Sequence, residues 1–292
     1  MRILIFGGDG MLGHRLLQSW RERHDVWVTL RQSAPAYGRY ADLFAGRGIF
    51  DLDVRRLQGV VDAVEAVKPD AVVNAVGIVK QRPNANEAIP SLEVNALFPH
   101  RLAQVCAAAR ARMIHLSTDC VFSGSKGGYV ETDVPDAEDL YGRSKLLGEV
   151  VEPHCLTLRA SMIGLELGRQ GSLVEWFLSQ RGRIKGFRRA IYSGLTTEEM
   201  ARAIEHFLVQ QPELGGLWHL SSSPIDKYDL LSRLSERLGR SDLEIVPDDE
   251  FVCDRSLDSR ALQGKTTYRV PSWDFMLDEL AKSIRRRETR GG

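Results

Sequence analysis

Tyr141 and Lys145, in the run Tyr141-Gly142-Arg143-Ser144-Lys145, stand four residues apart, which on a helix places them on one face, one turn from each other. A phenol beside an ammonium group is suited to acid chemistry near neutral pH, because the cation stabilises the phenolate and draws the tyrosine pKa down. Upstream, Ser117-Thr118-Asp119 lies at the end of a strand predicted over Met113 to Ser117. Thr118 is expected to hydrogen-bond a substrate carbonyl oxygen and hold it beside the phenol. A ketone that receives a hydride needs a proton at that same oxygen, so the set Thr118, Tyr141 and Lys145 suits carbonyl reduction. A Tyr-x-x-x-Lys spacing also arises by chance, so its specificity comes from order and context along the chain.

A hydride needs a carrier, and the first strand-like run, Arg2 to Phe6, leads straight into Gly7-Gly8-Asp9-Gly10-Met11-Leu12-Gly13. Gly7, Gly10 and Gly13 allow a tight turn and close backbone approach to a pyrophosphate, and the helix they open supplies N–H groups and a favourable dipole. The alternative reading is a glycine-rich loop that only caps the helix. At the end of the second strand the sequence is Thr29-Leu30-Arg31-Gln32-Ser33, with no acid to hold an adenosine ribose. Arg31 can instead pair with a 2′-phosphate, which favours NADPH and leaves NADH as the alternative cofactor; the bland reading of Arg31 is a solvated loop residue.

These groups need a scaffold. Strands are predicted at Arg2 to Phe6, Val26 to Leu30, Ala71 to Val76 and Met113 to Ser117, with helices at Leu12 to Arg23, Leu57 to Val67 and Pro90 to Arg110. That alternation predicts an α/β fold, a Rossmann-type doubly wound parallel sheet with a smaller interleaved substrate-binding lobe. Residues 1–158 form the expected dinucleotide-binding domain, the segment around 190–222 returns to it, and 159–292 form mainly the substrate-binding lobe. Leu156 to Arg159 and Leu217 to Ser221 read as further strands, Thr196 to Val209 and Asp226 to Leu238 as amphipathic helices. Leu173 to Arg189 has no clean repeat.

With 292 residues, 43% of them hydrophobic, the chain can bury a large core, and its 39 Lys plus Arg balance 39 Asp plus Glu. That balance argues against a nucleic-acid or membrane surface, and no leader or membrane-length apolar run is visible, so a cytoplasmic enzyme is expected. The basic run Arg285 to Arg290 reads as a frayed, solvated terminus. The four cysteines lack metal-like spacing; free thiols and no metal are expected.

The glycine turn, Asn74-Ala75-Val76-Gly77, Val94-Asn95-Ala96, Ser117-Thr118-Asp119-Cys120-Val121-Phe122 and Tyr141 to Glu149 together resemble the extended short-chain dehydrogenases. Within them the chain is most similar to the dTDP-4-dehydrorhamnose reductase branch, and Leu158-Arg159-Ala160-Ser161 and Gly194-Leu195-Thr196-Thr197 extend the likeness over nearly the whole length. The resemblance implies Tyr141 as general acid, Lys145 on the nicotinamide ribose and Thr118 on the carbonyl. It further implies Gly7, Gly10, Met11 and Leu12 around the pyrophosphate, Asp51 and Leu52 at the adenine edge, and Ala75, Val76 and Gly77 along the adenosine and ribose. The implied substrate is a nucleotide-diphosphate 4-keto-6-deoxy sugar used for surface polysaccharide precursors, and dimerisation through helices of the dinucleotide-binding lobe follows by analogy.

Cys120 departs from the tyrosine usual in that branch and reads as a packing residue. Gly77 to Arg82 and Glu175 to Arg188 also depart, and these are the stretches expected to read sugar and nucleotide. Lys80, Arg82, Lys185 and Arg188 are candidate partners of a diphosphate, and Trp176 or Phe187 candidate stacking surfaces, against a reading as solvated basic surface around a core aromatic. Asp119, next to Thr118, is expected on the substrate side. Two other readings stay open: an epimerase or dehydratase that recycles its cofactor, and a non-catalytic regulatory subunit that keeps the cofactor fold.

Overall fold

A computed structural model describes residues 1–80, 86–168 and 171–290. The chain runs β1 (Arg2–Phe6), α1 (Met11–Trp20), β2 (Asp25–Thr29), α2 (Ala41–Phe44), β3 (Gly48–Ile49), α3 (Leu57–Val67), β4 (Ala71–Asn74), α4 (Ala88–Ser91), α5 (Phe98–Ala109), β5 (Arg112–Thr118), α6 (Leu140–Leu147) and β6 (Cys155–Ala160). It continues through β7 (Met162–Ile163), α7 (Leu173–Ser179), β8 (Gly182–Phe187), β9 (Ala190–Tyr192), β10 (Leu195–Thr196), α8 (Thr197–Gln210) and β11 (Gly216–His219). The last elements are β12 (Ile225–Asp226), α9 (Lys227–Leu238), β13 (Leu243–Asp248), β14 (Cys253–Asp254), α10 (Arg260–Lys265) and α11 (Trp273–Arg290).

Seven strands form one sheet in the order β11-β6-β5-β4-β1-β2-β3. β1 pairs in parallel with β2 and β4, and β4 with β5. Ile3, Leu4, Ile5 and Phe6 are all buried, as expected of a strand covered on both faces. The strand order reverses direction between β1 and β4, so the loops leaving these two strands diverge to opposite sides, and in doubly wound sheets that divergence opens a ligand crevice. The α/β fold expected from the sequence is the one observed, with shifts of a residue or two at most element ends. The helix expected over Pro90 to Arg110 is interrupted: α4 and α5 flank a wide π-turn, Leu92–Leu97.

Compactness divides the chain into two units. The first comprises Met1–Thr118, Glu138–Leu158 and Ile204–Trp218; the second comprises Asp119–Ala137, Arg159–Ala203 and His219–Gly292. The first unit has a core cluster in which Phe6 meets Phe98 edge-on, ring centres 5.7 Å apart, among Val60, Val64, Leu102 and Met113. In the second, β8 pairs with β13, and β9 lies between β12 and β14. The stretch 173–189, featureless in sequence, consists of the short helix α7 and strand β8, whose Ile184 and Gly186 are buried while Arg183 and Lys185 face outwards. The basic run at the C-terminus is helical through Arg290, which corrects its reading as frayed: Arg287 donates to Glu175 at 2.5 Å. Among the described residues no helix is long and apolar enough to cross a membrane. The four cysteines are free, with Cys106 and Cys155 buried.

Candidate active site

The glycine turn follows β1 and leads into α1. Gly7 has φ +91°, a conformation that L side chains rarely adopt, and its carbonyl accepts from the N–H of Gly10 at 3.0 Å. A Cβ on Gly13 would stand 2.0 Å from the Gly7 carbonyl oxygen, so only hydrogen lets α1 come this close. Gly10 is the N-cap of α1 and no side chain caps it, which leaves the Met11 and Leu12 end of the helix to be satisfied from outside. This is a cradle for a diphosphate, and the residues present fit a dinucleotide. Tyr37, missed in the sequence reading, is buried behind the turn: its hydroxyl accepts from the N–H of Gln32 at 3.3 Å and lies 3.4 Å from the Asp9 carboxylate.

Arg31 is exposed at the end of β2. Asp51, at φ 57°, donates its N–H to the carbonyl of Gln32 at 3.1 Å, and the N–H of buried Leu52 donates to Leu30 at 3.0 Å. The hydrogen-bonded Arg55 guanidinium, with a smaller contribution from Arg31, holds the Asp53 carboxyl at about 2. Arg31 therefore has a carboxylate in its electrostatic neighbourhood.

Ala75, Val76 and Gly77 leave β4 against the glycine turn: the Ala75 carbonyl and Val76 Cγ2 lie 3.2 and 3.1 Å from where a Gly7 Cβ would stand. The next residue is clamped by Asn95 from the π-turn, which accepts from the N–H of Ile78 at 2.8 Å and donates to its carbonyl at 2.9 Å. The same amide donates to Ser144 Oγ at 3.1 Å, tying this loop to α6.

Helix α6 carries Tyr141 and Lys145, and Asp139 caps it by accepting from the N–H of Gly142 at 2.7 Å. Lys145 is buried, and its Nζ donates to the Leu116 carbonyl at 2.6 Å, two residues before Thr118 at the end of β5. Burial draws the Lys145 pKa down to about 8, opposed by the Glu149 carboxylate. Ser117 Oγ donates to Glu149 at 2.6 Å, so Lys145 on α6 and Glu149 just beyond its C-terminal end grip consecutive positions on β5. The sequence-predicted Thr118, Tyr141 and Lys145 are thus gathered by one strand end and one helix of the first unit.

Lys80 lies beside helix α6 and is paired with the residue that caps it. Its Nζ is 2.5 Å from Asp139 and 5.8 Å from the centre of the Tyr141 ring. Arg82 lies outside the described residues. In the second unit, Lys185 pairs with Asp248 at 2.6 Å, and Arg188 Nε donates to Asp249 at 2.8 Å. Of the four cations that the sequence offered to a diphosphate, the three among the described residues, Lys80, Lys185 and Arg188, each have a carboxylate partner. Asp119 is buried and starts a 3₁₀ turn, and Trp176 on α7 is 38% exposed. Phe187 meets Phe251, ring centres 5.3 Å apart.

The dTDP-4-dehydrorhamnose reductase of Salmonella typhimurium is 27% identical over 94% of this chain and 95% of its own. The methionine adenosyltransferase 2 subunit beta of Xenopus laevis is 30% identical, over 51% of this chain and 41% of its own. In fold, the crystal structure of a Bacillus anthracis dTDP-4-dehydrorhamnose reductase in complex with NADP is similar at a TM-score of 0.77, with 19% identity, 96% of this chain and 98% of that one covered. Residues 1–252 match the RmlD substrate binding domain, and the chain belongs to that family.

Proposed function

We propose that this chain is an NADPH-dependent reductase of a nucleotide-diphosphate 4-keto-6-deoxy sugar, serving surface polysaccharide precursor synthesis. The observation that carries the reading is the buried Lys145, fixed to the Leu116 carbonyl one helical turn from Tyr141 and two residues from Thr118. An acid placed beside a buried cation, at the end of a strand of a doubly wound sheet, is what carbonyl reduction requires. The relative named as a reductase over nearly its whole length supports the substrate class. We assign cofactor binding to the first unit and substrate recognition to the second.

Bound NADPH would supply the hydride to C4 of the sugar. Gly7, Gly10, Met11, Leu12 and Gly13 hold the diphosphate with backbone N–H groups and the α1 dipole. Arg31 meets the 2′-phosphate, a charge-assisted contact that a ribose without phosphate does not offer. Asp51, Leu52, Ala75, Val76 and Gly77 line the adenosine. Thr118 donates a hydrogen bond to the C4 carbonyl oxygen, and Tyr141 gives its phenolic proton to that oxygen as it becomes an alkoxide. Lys145 keeps the resulting phenolate stable and holds the nicotinamide ribose.

The test is NADPH consumption, followed by nicotinamide absorbance, over a panel of dTDP- and UDP-linked 4-keto-6-deoxy sugars. One substrate is expected to turn over, and Tyr141→Phe to lose about 10²- to 10⁴-fold in kcat. Binding of NADPH without oxidation on any member of the panel would remove the reductase reading.

A further inference from the structure

His115 takes no part in the chemistry above, yet it is wholly buried beneath it, on β5 between the Asn74 strand end and the carbonyl that holds Lys145. Its Nδ1 faces Nδ2 of Asn74 at 3.1 Å, and Oδ1 of Asn74 accepts from the N–H of Val76 at 3.1 Å. An amide has one donating end and one accepting end, so these two bonds determine each other. The Val76 N–H requires the oxygen, which turns the NH₂ group towards His115, where Nδ1 must accept. The imidazole is then neutral with its proton on Nε2, and that atom is buried with no hydrogen-bond partner among the described residues. Burial first, and the Lys145 cation second, hold the ring well below its usual pKa, which preserves the accepting nitrogen.

An apolar side chain would fill the same space without stranding a donor. What histidine adds is an acceptor for Asn74, and Asn74 aims the backbone of the turn that lies directly on Gly7. We propose that His115 is a positioning residue for the cofactor cradle: as the Nε2–H tautomer it orients Asn74, which fixes the Val76 amide and so holds Ala75 to Gly77 against the glycine turn. The proposal rests on the reading of that turn as the NADPH site.

The experiment compares wild type, His115→Leu and His115→Asn, in which the amide oxygen can replace Nδ1 as acceptor. NADPH dissociation constants are read from quenching of tryptophan fluorescence, with kcat at saturating NADPH and melting temperature alongside. His115→Leu is expected to weaken NADPH binding about 3- to 10-fold, the loss of one oriented hydrogen bond, with kcat nearly unchanged, and His115→Asn to recover most of the affinity. ¹⁵N shifts of the wild-type imidazole should show the Nε2–H tautomer. Equal NADPH affinity in all three proteins, or an Nδ1–H tautomer, would overturn the positioning role even if both variants melt lower. Wild-type protein that fails to bind NADPH would instead overturn the cofactor reading, and this inference with it.

Discussion

Lys145 occupies a place where positive charge is costly. Its pKa falls from 10.5 to about 8 because water is excluded, which corresponds to about 3 kcal/mol of stability lost at neutral pH. The Leu116 carbonyl and Glu149 compensate only in part. Lys145→Met is expected to abolish reduction while raising the unfolding free energy at pH 7 by about 1–3 kcal/mol in urea titrations. The sign with pH follows from proton counting. Between about 8 and 10.5 the unfolded chain keeps a proton that folded Lys145 has released, so wild-type stability rises with pH across that window and the advantage of the variant disappears. An advantage that stays constant above pH 10.5 would show that buried charge is not its source. Both Tyr141 and Lys145 were visible in the sequence because a four-residue spacing means one helix face. The cost at Lys145 was not, because it depends on what the surrounding strands exclude.

At the level of elements, close approach sets the limits. The α1 helix meets the glycine turn so tightly that Gly13→Ala would drive a methyl into the Gly7 carbonyl. A loss of about 1–3 kcal/mol is expected, together with loss of NADPH binding, since the turn and the helix N-terminus must separate. Gly59 is the internal control: it lies within α3, and its Cβ would meet only Leu52 Cγ at 4.0 Å. Gly59→Ala should stabilise by about 0.5–1 kcal/mol through helix propensity, with cofactor affinity intact. Denaturation midpoints of the two variants should therefore move in opposite directions. Helix α3 was read from sequence with both ends in place, because its apolar positions repeat at helical spacing over Leu57–Val67. Residues 173–189 were not legible. A seven-residue helix is too short to show a period, and β8 finds its partner β13 about sixty residues further on.

At the scale of the whole chain, Glu175 shows how distant segments are joined. Its carboxylate is 7% exposed, caps the Glu166 N–H at 2.8 Å and pairs with Arg287 on α11. Arg287→Ala would leave a buried charge without its cation and should cost about 1–3 kcal/mol. Removing the charge as well, in Glu175→Gln/Arg287→Ala, should cost less than the sum of the single changes. Additive losses would show that the two residues act independently.

What the sequence determined alone is what backbone and spacing encode locally: glycines where a helix must touch a turn, a phenol and an amine one turn apart, and strand and helix periods in an order that leads to a doubly wound sheet. The family resemblance at Asn74 to Gly77 and Ser117 to Phe122 added roles to those positions. The tertiary structure decided the partnerships. Lys80 with Asp139, Lys185 with Asp248, Arg188 with Asp249, His115 with Asn74 and Lys145 with the Leu116 carbonyl all join residues at least 29 positions apart. Spacing carries no information across such separations. Whether a lysine faces solvent, a substrate or a carboxylate depends on which strands become neighbours, and strand adjacency is settled by burial over the whole sheet.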